Sequence, residues 1–219
     1  GEGIVVMPGG GITPRNVDIW LPPGYAENPD KRYPVLYMHD GQNVFDPATS
    51  YTKIDWGVDE ALTRLIETGQ VREAIVVGVW NTPRRVQEYM PANAITGASF
   101  HPGGDGTPIP VSDLSSDGYL RFLVKELKPF VDGRYRTLAG PQDTSVMGSS
   151  MGGLISAYAV AEYPDVFGNA GCMSTHWPVG HGIVVDYLAK KLPPPGPHRW
   201  YFDYGSAGID VEYGPHQQG

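Results

Sequence analysis

Asp143-Thr-Ser-Val-Met-Gly-Ser-Ser-Met-Gly-Gly-Leu-Ile-Ser-Ala-Tyr-Ala-Val-Ala161 decides how the chain is read. Thr144 to Met147 can form a short buried strand. Leu154, Ile155, Ala157, Tyr158 and Ala161 make a helix of small and apolar residues able to lie close on a sheet. Between them, Gly148-Ser149-Ser150-Met151-Gly152 matches G-x-S-x-G with Ser150 at its centre. In a nucleophile elbow the serine occupies a strained strand-to-helix turn, and flanking glycines let the backbone close without Cβ clashes. The following helix aims its first N–H groups at an oxyanion. At this glycine and serine content the pentapeptide arises by chance about 0.2 times per chain, so its context must decide.

The bulk numbers fit one domain. A chain of 219 residues supports one α/β domain with a sizeable core. The 29 Gly and 21 Pro imply many ordered loops. A net charge of −8 argues against nucleic acid or an anionic membrane as the main partner. No apolar run is long enough for membrane insertion, and no stretch reads as a signal peptide. Cys172 is the single cysteine, so no internal disulfide is expected, and its apolar neighbours suggest a buried, inert thiol.

Outward from the elbow, strands and helices alternate. Ile4 to Met7 and Arg15 to Leu21 read as two outer antiparallel strands. Tyr33–Met38, Ala74–Trp80, Phe167–Met173 and Trp200–Tyr204 read as strands, the first three apolar as if covered on both faces. Helices are expected at Asp55–Thr68, at Asp113–Lys128 with Pro129 ending it, and at Ile183–Leu192. Residues 92–112, dense in Gly and Pro, read as a flap beside a cleft, with His101 and Asp105 solvated. This alternation predicts an α/β fold with a mostly parallel sheet sandwiched by helices. Loops after parallel strands then converge on one edge. They include His39-Asp40-Gly41-Gln42, a place for a second backbone oxyanion donor, and the loops bearing His176–Trp177 and Asp210. His39 has no second histidine at ligand spacing, so it reads as a positioned structural histidine. Asn81-Thr-Pro-Arg-Arg-Val-Gln-Glu-Tyr-Met-Pro91, at the end of the Ala74–Trp80 strand, reads as a cleft wall; the alternative is that Arg85 and Glu88 simply pair with each other.

These segments together resemble the putative-esterase family of α/β-hydrolases, which includes enterochelin esterase-like proteins, feruloyl esterases, S-formylglutathione hydrolases and mycolyltransferases. The resemblance rests on Arg15-Asn-Val-Asp-Ile-Trp-Leu-Pro-Pro-Gly-Tyr25, Tyr33-Pro-Val-Leu-Tyr-Met-His-Asp-Gly-Gln-Asn43, Ile75-Val-Val-Gly-Val-Trp-Asn-Thr82, Arg85-Val-Gln-Glu-Tyr-Met-Pro91, Gly148-Ser-Ser-Met-Gly-Gly153 and Tyr201-Phe-Asp-Tyr-Gly205. It implies Ser150 as nucleophile and an oxyanion hole from the N–H of Met151 and of Gly41 or Gln42. It implies Asp210 as the triad acid, in preference to Asp203, and Trp177, beside His176, as a pocket wall. It implies no metal and no organic cofactor. In α/β-hydrolases the order is serine, acid, histidine. The family's histidine follows one more helix and strand, whereas this sequence runs nine residues past Asp210. His216 is too near Asp210 to occupy a separate loop, and His176 sits in the wrong element. The expected chain is therefore a single α/β-hydrolase domain, 1–219, lacking the C-terminal helix and strand, with apolar surface that self-association would cover. The expected function is a serine carboxylesterase acting on a small-molecule or sugar-linked ester. The alternatives are an acyltransferase of the same fold and a non-catalytic binding or scaffold member.

Overall fold

The computed structural model describes residues 2–6, 8–97, 99–102 and 106–217. Met7 and Asp105, named above, lie outside the described residues. The centre is a seven-stranded sheet ordered β1-β2-β4-β3-β7-β8-β9. Its strands are β1 (Glu2–Val6), β2 (Arg15–Trp20), β3 (Val35–His39), β4 (Ile75–Val79), β7 (Thr144–Ser149), β8 (Asn169–Met173) and β9 (Arg199–Phe202). β1 and β2 are antiparallel to their neighbours, and the other five strands run parallel.

Strand composition explains each position. β4, Ile-Val-Val-Gly-Val, is buried at every residue, as a parallel strand covered on both faces must be. β2 buries Val17 and Ile19 and leaves Asn16 exposed, which suits a strand nearer the sheet edge. β1 lies outside it, registering Ile4 on Val17.

The helices cover the sheet unequally. α1 (Val58–Glu67) has no fully buried residue. Its Val58 and Leu62 pack on a small cluster of Met38, Val44 and Val76. The opposite face holds the main core. There α5 (Met151–Glu162) is buried from Met151 to Ala161, which its Gly, Ala and Ser content permits by allowing close approach. A long helix joins it, made of α3 (Ser116–Phe122), a π-helical stretch Leu123–Leu127 and α4 (Lys128–Arg134). It contributes Tyr119, Leu120, Phe122, Leu123, Leu127 and Val131.

Several expected boundaries move. The long helix starts at Ser116 and runs through Pro129 to Arg134. A proline inside a helix lacks an N–H and crowds the carbonyl four residues back. The π turn just before it shifts the register, with the Lys128 N–H bonded to the Leu123 carbonyl, and Pro129 falls in the first turn of the resumed α-helix. α1 begins at Val58, after Gly57 at φ 60. Residues 92–112 contain a short antiparallel pair, β5 (Ser99–Phe100) and β6 (Ile109–Pro110), and Phe100 is buried in the main core. His101 is exposed. β9 ends at Phe202, so Asp203 follows the strand rather than lying in it. After it come a 3-10 turn, Gly208–Glu212, and a short helix, α7 (Gly214–Gln217).

The strand order places the site. The path β3-α1-β4 moves one way across the sheet, while β7-α5-β8-α6-β9, with α6 at Ile183–Lys191, moves the other. The reversal lies between β3 and β7. In an open α/β sheet, ligands bind at the carboxyl ends of the strands at such a switch point. Asp40–Asn43 follows β3 there, and Ser150 follows β7.

Candidate active site

Ser150 stands between β7 and α5 at φ 59 and ψ −119. A non-glycine residue in that region costs on the order of 1–3 kcal/mol and persists only where its surroundings hold it. Here the Ser150 N–H donates to the Met173 carbonyl at 3.0 Å, and the Ser150 carbonyl accepts from His176 at 3.2 Å. The ends of β7 and β8 are thus laced together through the serine. A Cβ on Gly148 would lie 2.6 Å from the backbone of Gly152, so the turn closes only with glycine at 148. The strand–turn–helix of the expected elbow is present around Ser150.

Ser150 lines a cleft of about 760 Å³ with Asp40, Gln42, Asn43, Tyr51, Thr52, Trp56, Asn81, Thr82, Arg85, Ser149 and Ile209. The described residues of 92–112 line none of it; the wall comes from Tyr51, Thr52 and Trp56 instead. Gly41–Asn43 forms a 3-10 turn, introduced by Asp40 at φ 58. Gly41 itself is buried against β4, where a Cβ would overlap the Gly78 backbone. Gln42 is the neighbour that reaches the cleft, and its Oε1 accepts from the Asn81 N–H at 3.1 Å. Met151 opens α5, and the first N–H groups of a helix have no partner within it. The N-terminus of α5 and the Gly41–Asn43 turn therefore border the Ser150 cleft.

Asp40 locks this arrangement. Its carboxylate accepts from Arg85 Nε at 2.7 Å, from Arg85 Nη2 at 2.8 Å and from Asn81 Nδ2 at 2.6 Å. Arg85 Nη2 also reaches the Ser149 carbonyl at 3.4 Å, tying the β3 loop to the elbow. The segment after β4 supplies cleft wall through Asn81, Thr82 and Arg85, and the alternative Arg85–Glu88 pair does not form. Arg85 and Glu88 are separated by less than one helical turn, and Glu88 turns inward to Arg15 at 2.6 Å, with both side chains essentially buried. His39 has the structural role expected of it. It is buried between Tyr89 and Tyr119, with Nδ1 2.8 Å from the Tyr119 hydroxyl. Burial, opposed by Asp40 and reinforced by Arg85 and Arg15, takes its pKa down to about 3. Cys172 is buried, and its pKa is raised chiefly by burial, which leaves an inert thiol.

The other expected site residues divide. Ile209 lines the Ser150 cleft, so the Asp210 loop does reach the active edge. The Asp210 carboxylate, however, accepts from the Gly205 N–H at 3.0 Å, and no bond joins it to an imidazole among the described residues. Asp203 caps the other strand end by accepting from the Ser174 N–H at 2.7 Å. Trp177 is not a wall of this cleft. It turns into a separate apolar cavity of about 220 Å³ with Leu188, Trp200 and Phe202, and its Nε1 donates to Gln217. The adjacent His176 takes the other direction, toward Tyr213. His216 lines the Trp177 cavity and not the Ser150 cleft. Sequence reasoning had Asn81 and Arg85 in the cleft wall but missed their bonds to Asp40, which depend on which way a side chain turns and which no periodicity reports. Among the described residues Asp55, Asp59 and Glu60 could present three carboxylates to a cation, but none of them lines the cleft.

Comparison with known proteins agrees with this geometry. The family model described as "Putative esterase" matches residues 12–181. Protein YbbA of Bacillus subtilis is 25% identical over 195 residues, covering 88% of this chain and 68% of that protein. The ferri-bacillibactin esterase BesA of the same organism is 26% identical over 171 residues, covering 74% of this chain and 55% of BesA. The chain thus spans roughly half to two thirds of these curated relatives. Among solved structures, the BES protein from Bacillus cereus superposes with a TM-score of 0.76 at 18% identity, over 99% of this chain and 78% of that one. With an elbow serine at the switch point of a mostly parallel sheet, and a family match across most of its length, the chain belongs to the putative-esterase family of α/β-hydrolases.

Proposed function

We propose that the protein hydrolyses a carboxylic ester through an acyl-enzyme on Ser150. The observation that carries this is the Ser150 backbone at φ 59, held strained in the cleft at the N-terminus of α5 and beside the Gly41–Asn43 turn. Such strain, over-determined by neighbouring bonds, is characteristic of a site where presentation of the side chain matters. The serine oxygen attacks the ester carbonyl, and the carbonyl electron pair moves onto oxygen. In this reading the backbone N–H groups of Met151 and Gln42 receive that oxyanion. Collapse expels the alcohol, and water resolves the acyl-enzyme. In this scheme Asp40 and Arg85 are positioning residues that hold the β3 loop against the elbow. Trp56 and Tyr51 offer apolar faces to the ester. The relative named a ferri-bacillibactin esterase makes ferri-bacillibactin the first natural ester to test.

The rival is a binding member of the fold without turnover, favoured by the lack of an imidazole bonded to Asp210 among the described residues. The two separate on hydrolysis of a small activated ester. Ser150→Ala should lower turnover by several orders of magnitude, and Ser149→Ala should leave the fold and much of the activity. Equal rates in Ser150→Ala and the parent would remove Ser150 from the reaction.

A further inference from the structure

A second cavity, of about 320 Å³, shares no lining residue with the Ser150 cleft. Its walls come from β1, β2, the loop after β3, α1 and the residue after β4. In β2 the alternation sends Val17 and Ile19 into the main core, so Asp18 and Trp20 face the other side of the sheet. There Trp20 and Phe45 pack on the small cluster beneath α1. Trp80 folds back on Asp18, its Nε1 donating to Asp18 Oδ2 at 2.5 Å. Phe45 lies over Gly78, where a Cβ would meet the ring at 3.3 Å. Two indoles and a phenyl ring thus line a cavity that also holds the Asp18 carboxylate.

We propose that this cavity binds an organic cation with a methylated ammonium head, enclosed by Trp20, Trp80 and Phe45 and neutralised by Asp18 and Asp59. The site goes beyond the esterase reading and does not depend on it. Aromatic faces carry negative potential and attract a cation, most strongly at tryptophan and where water is excluded. A fully methylated ammonium has no N–H to donate, so it takes ring faces and a nearby carboxylate instead of a set of hydrogen-bond acceptors. The volume lies at the small end of ligand pockets, which run from about 300 to 1,000 Å³.

The charges of the cavity call for a cation. Asp18, Asp46 and Asp59 line it, and among the described residues no Lys, Arg or His does. Glu2 also lines it, but its carboxylate is taken by Arg134 and Tyr135. The Trp80 N–H is a neutral donor, so it leaves the Asp18 charge uncompensated. Asp46, exposed, accepts from the Ala48 N–H at 2.7 Å. Asp59 Oδ1 is buried and has no hydrogen-bond partner among the described residues. Burial raises the Asp59 pKa, its own backbone N–H opposes the rise, and Glu60 and Asp55 add to it. A carboxylate withdrawn from water without a partner is costly, and a bound cation removes that cost. A metal ion suits the walls less well. The carboxylates close enough to share one are Asp55, Asp59 and Glu60, of which only Asp59 lines the cavity. Indole and phenyl faces are no ligands for an ion that prefers oxygen.

The test is a titration of tryptophan emission with choline chloride at constant ionic strength, since Trp20 and Trp80 line the cavity. Choline should bind saturably, and its neutral isostere 3,3-dimethylbutan-1-ol should bind about 10-fold more weakly or not at all. Asp18→Asn keeps an acceptor for the Trp80 N–H while removing the charge, so it should abolish the preference for the cation. Asp59→Asn should reduce that preference. Ser150→Ala should bind choline as the parent does, whatever its esterase activity. Circular dichroism reports folding; if Asp18→Asn does not fold, Asp59→Asn decides alone. Absence of a saturable response to choline would overturn the site. So would equal binding of choline and the alcohol, which would mark an apolar hollow only, or an unchanged preference in both Asn variants. Displacement of choline by magnesium or calcium chloride at matched ionic strength would assign the carboxylates to a metal ion and overturn it as well.

Discussion

At the scale of single residues, the site is held by atoms that leave no room. Gly148 faces the Gly152 backbone and Gly41 faces the Gly78–Val79 backbone, so a methyl group at either position meets main chain rather than a flexible side chain. We expect Gly148→Ala and Gly41→Ala each to cost about 1–3 kcal/mol, the usual penalty for overpacking, and to lower the proposed esterase activity further by displacing the proposed oxyanion donors. Gly69, with positive φ but open space around its Cα, should cost less on the same denaturant scale and leave activity intact. Equal losses at all three positions would mean that backbone conformation, not close approach, governs the first two. The need for Gly148 was legible in the sequence because its clash with Gly152 lies within the elbow, whereas that of Gly41 with Gly78 is a tertiary contact. The Arg85–Asp40 and Arg15–Glu88 pairs were not, because charge spacing along a helix does not say which partner the fold brings from 45 or 73 residues away.

At the scale of elements, α5 and the loop after β8 fit as one unit. Gly153, in the first turn of α5, lies where a Cβ would overlap Thr175 Oγ1. Thr175 is fully buried, and its hydroxyl has no hydrogen-bond partner. That contact sets how closely the elbow helix approaches the loop carrying His176. Gly153→Ala should destabilise by about 1–3 kcal/mol. Thr175→Ala removes the obstructing atoms, so in the double variant the two effects should fall short of their sum by roughly 1 kcal/mol, within the range for residues in contact. Simple additivity in urea unfolding would show that the helix shifts rather than presses on Thr175. Element type was readable throughout the sheet, since buried parallel strands such as Ile75–Val79 are continuous apolar runs. The long helix was cut short at Pro129 because a local rule for proline says nothing of a π turn one step earlier. The 3-10 turn and α7 after β9 carry few apolar residues at helical spacing, and their placement of Tyr213 is a tertiary outcome.

At the scale of the whole molecule, the alternation of strands and helices gave the sheet, and the sheet's switch point gave the site, while the destinations of His176, Trp177 and Asp210 were settled by packing. One property belongs to the fold as a whole: the cost of enclosing His39. The imidazole lies beneath the active edge, walled by Tyr89 and Tyr119, with Asp40, Arg85 and Arg15 as the charges around it. Its pKa falls from 6.5 to about 3 on folding. Below pH 6.5 the unfolded chain binds a proton that the native chain refuses. Stability is therefore complete above that pH and declines as the pH falls toward 3, with a slope of up to about 1.4 kcal/mol per pH unit from this group. His176, also lowered by burial, acts in the same direction. Between pH 7 and pH 5 we expect His39 to remove about 2 kcal/mol of unfolding free energy, measured by denaturant titration. His39→Gln will differ in absolute stability because it alters the bond to Tyr119, so the informative quantity is the change between the two pH values. That change should be smaller in His39→Gln by about the same 2 kcal/mol. An identical acid-induced loss in parent and variant would assign the sensitivity to the carboxylates and clear His39 of it.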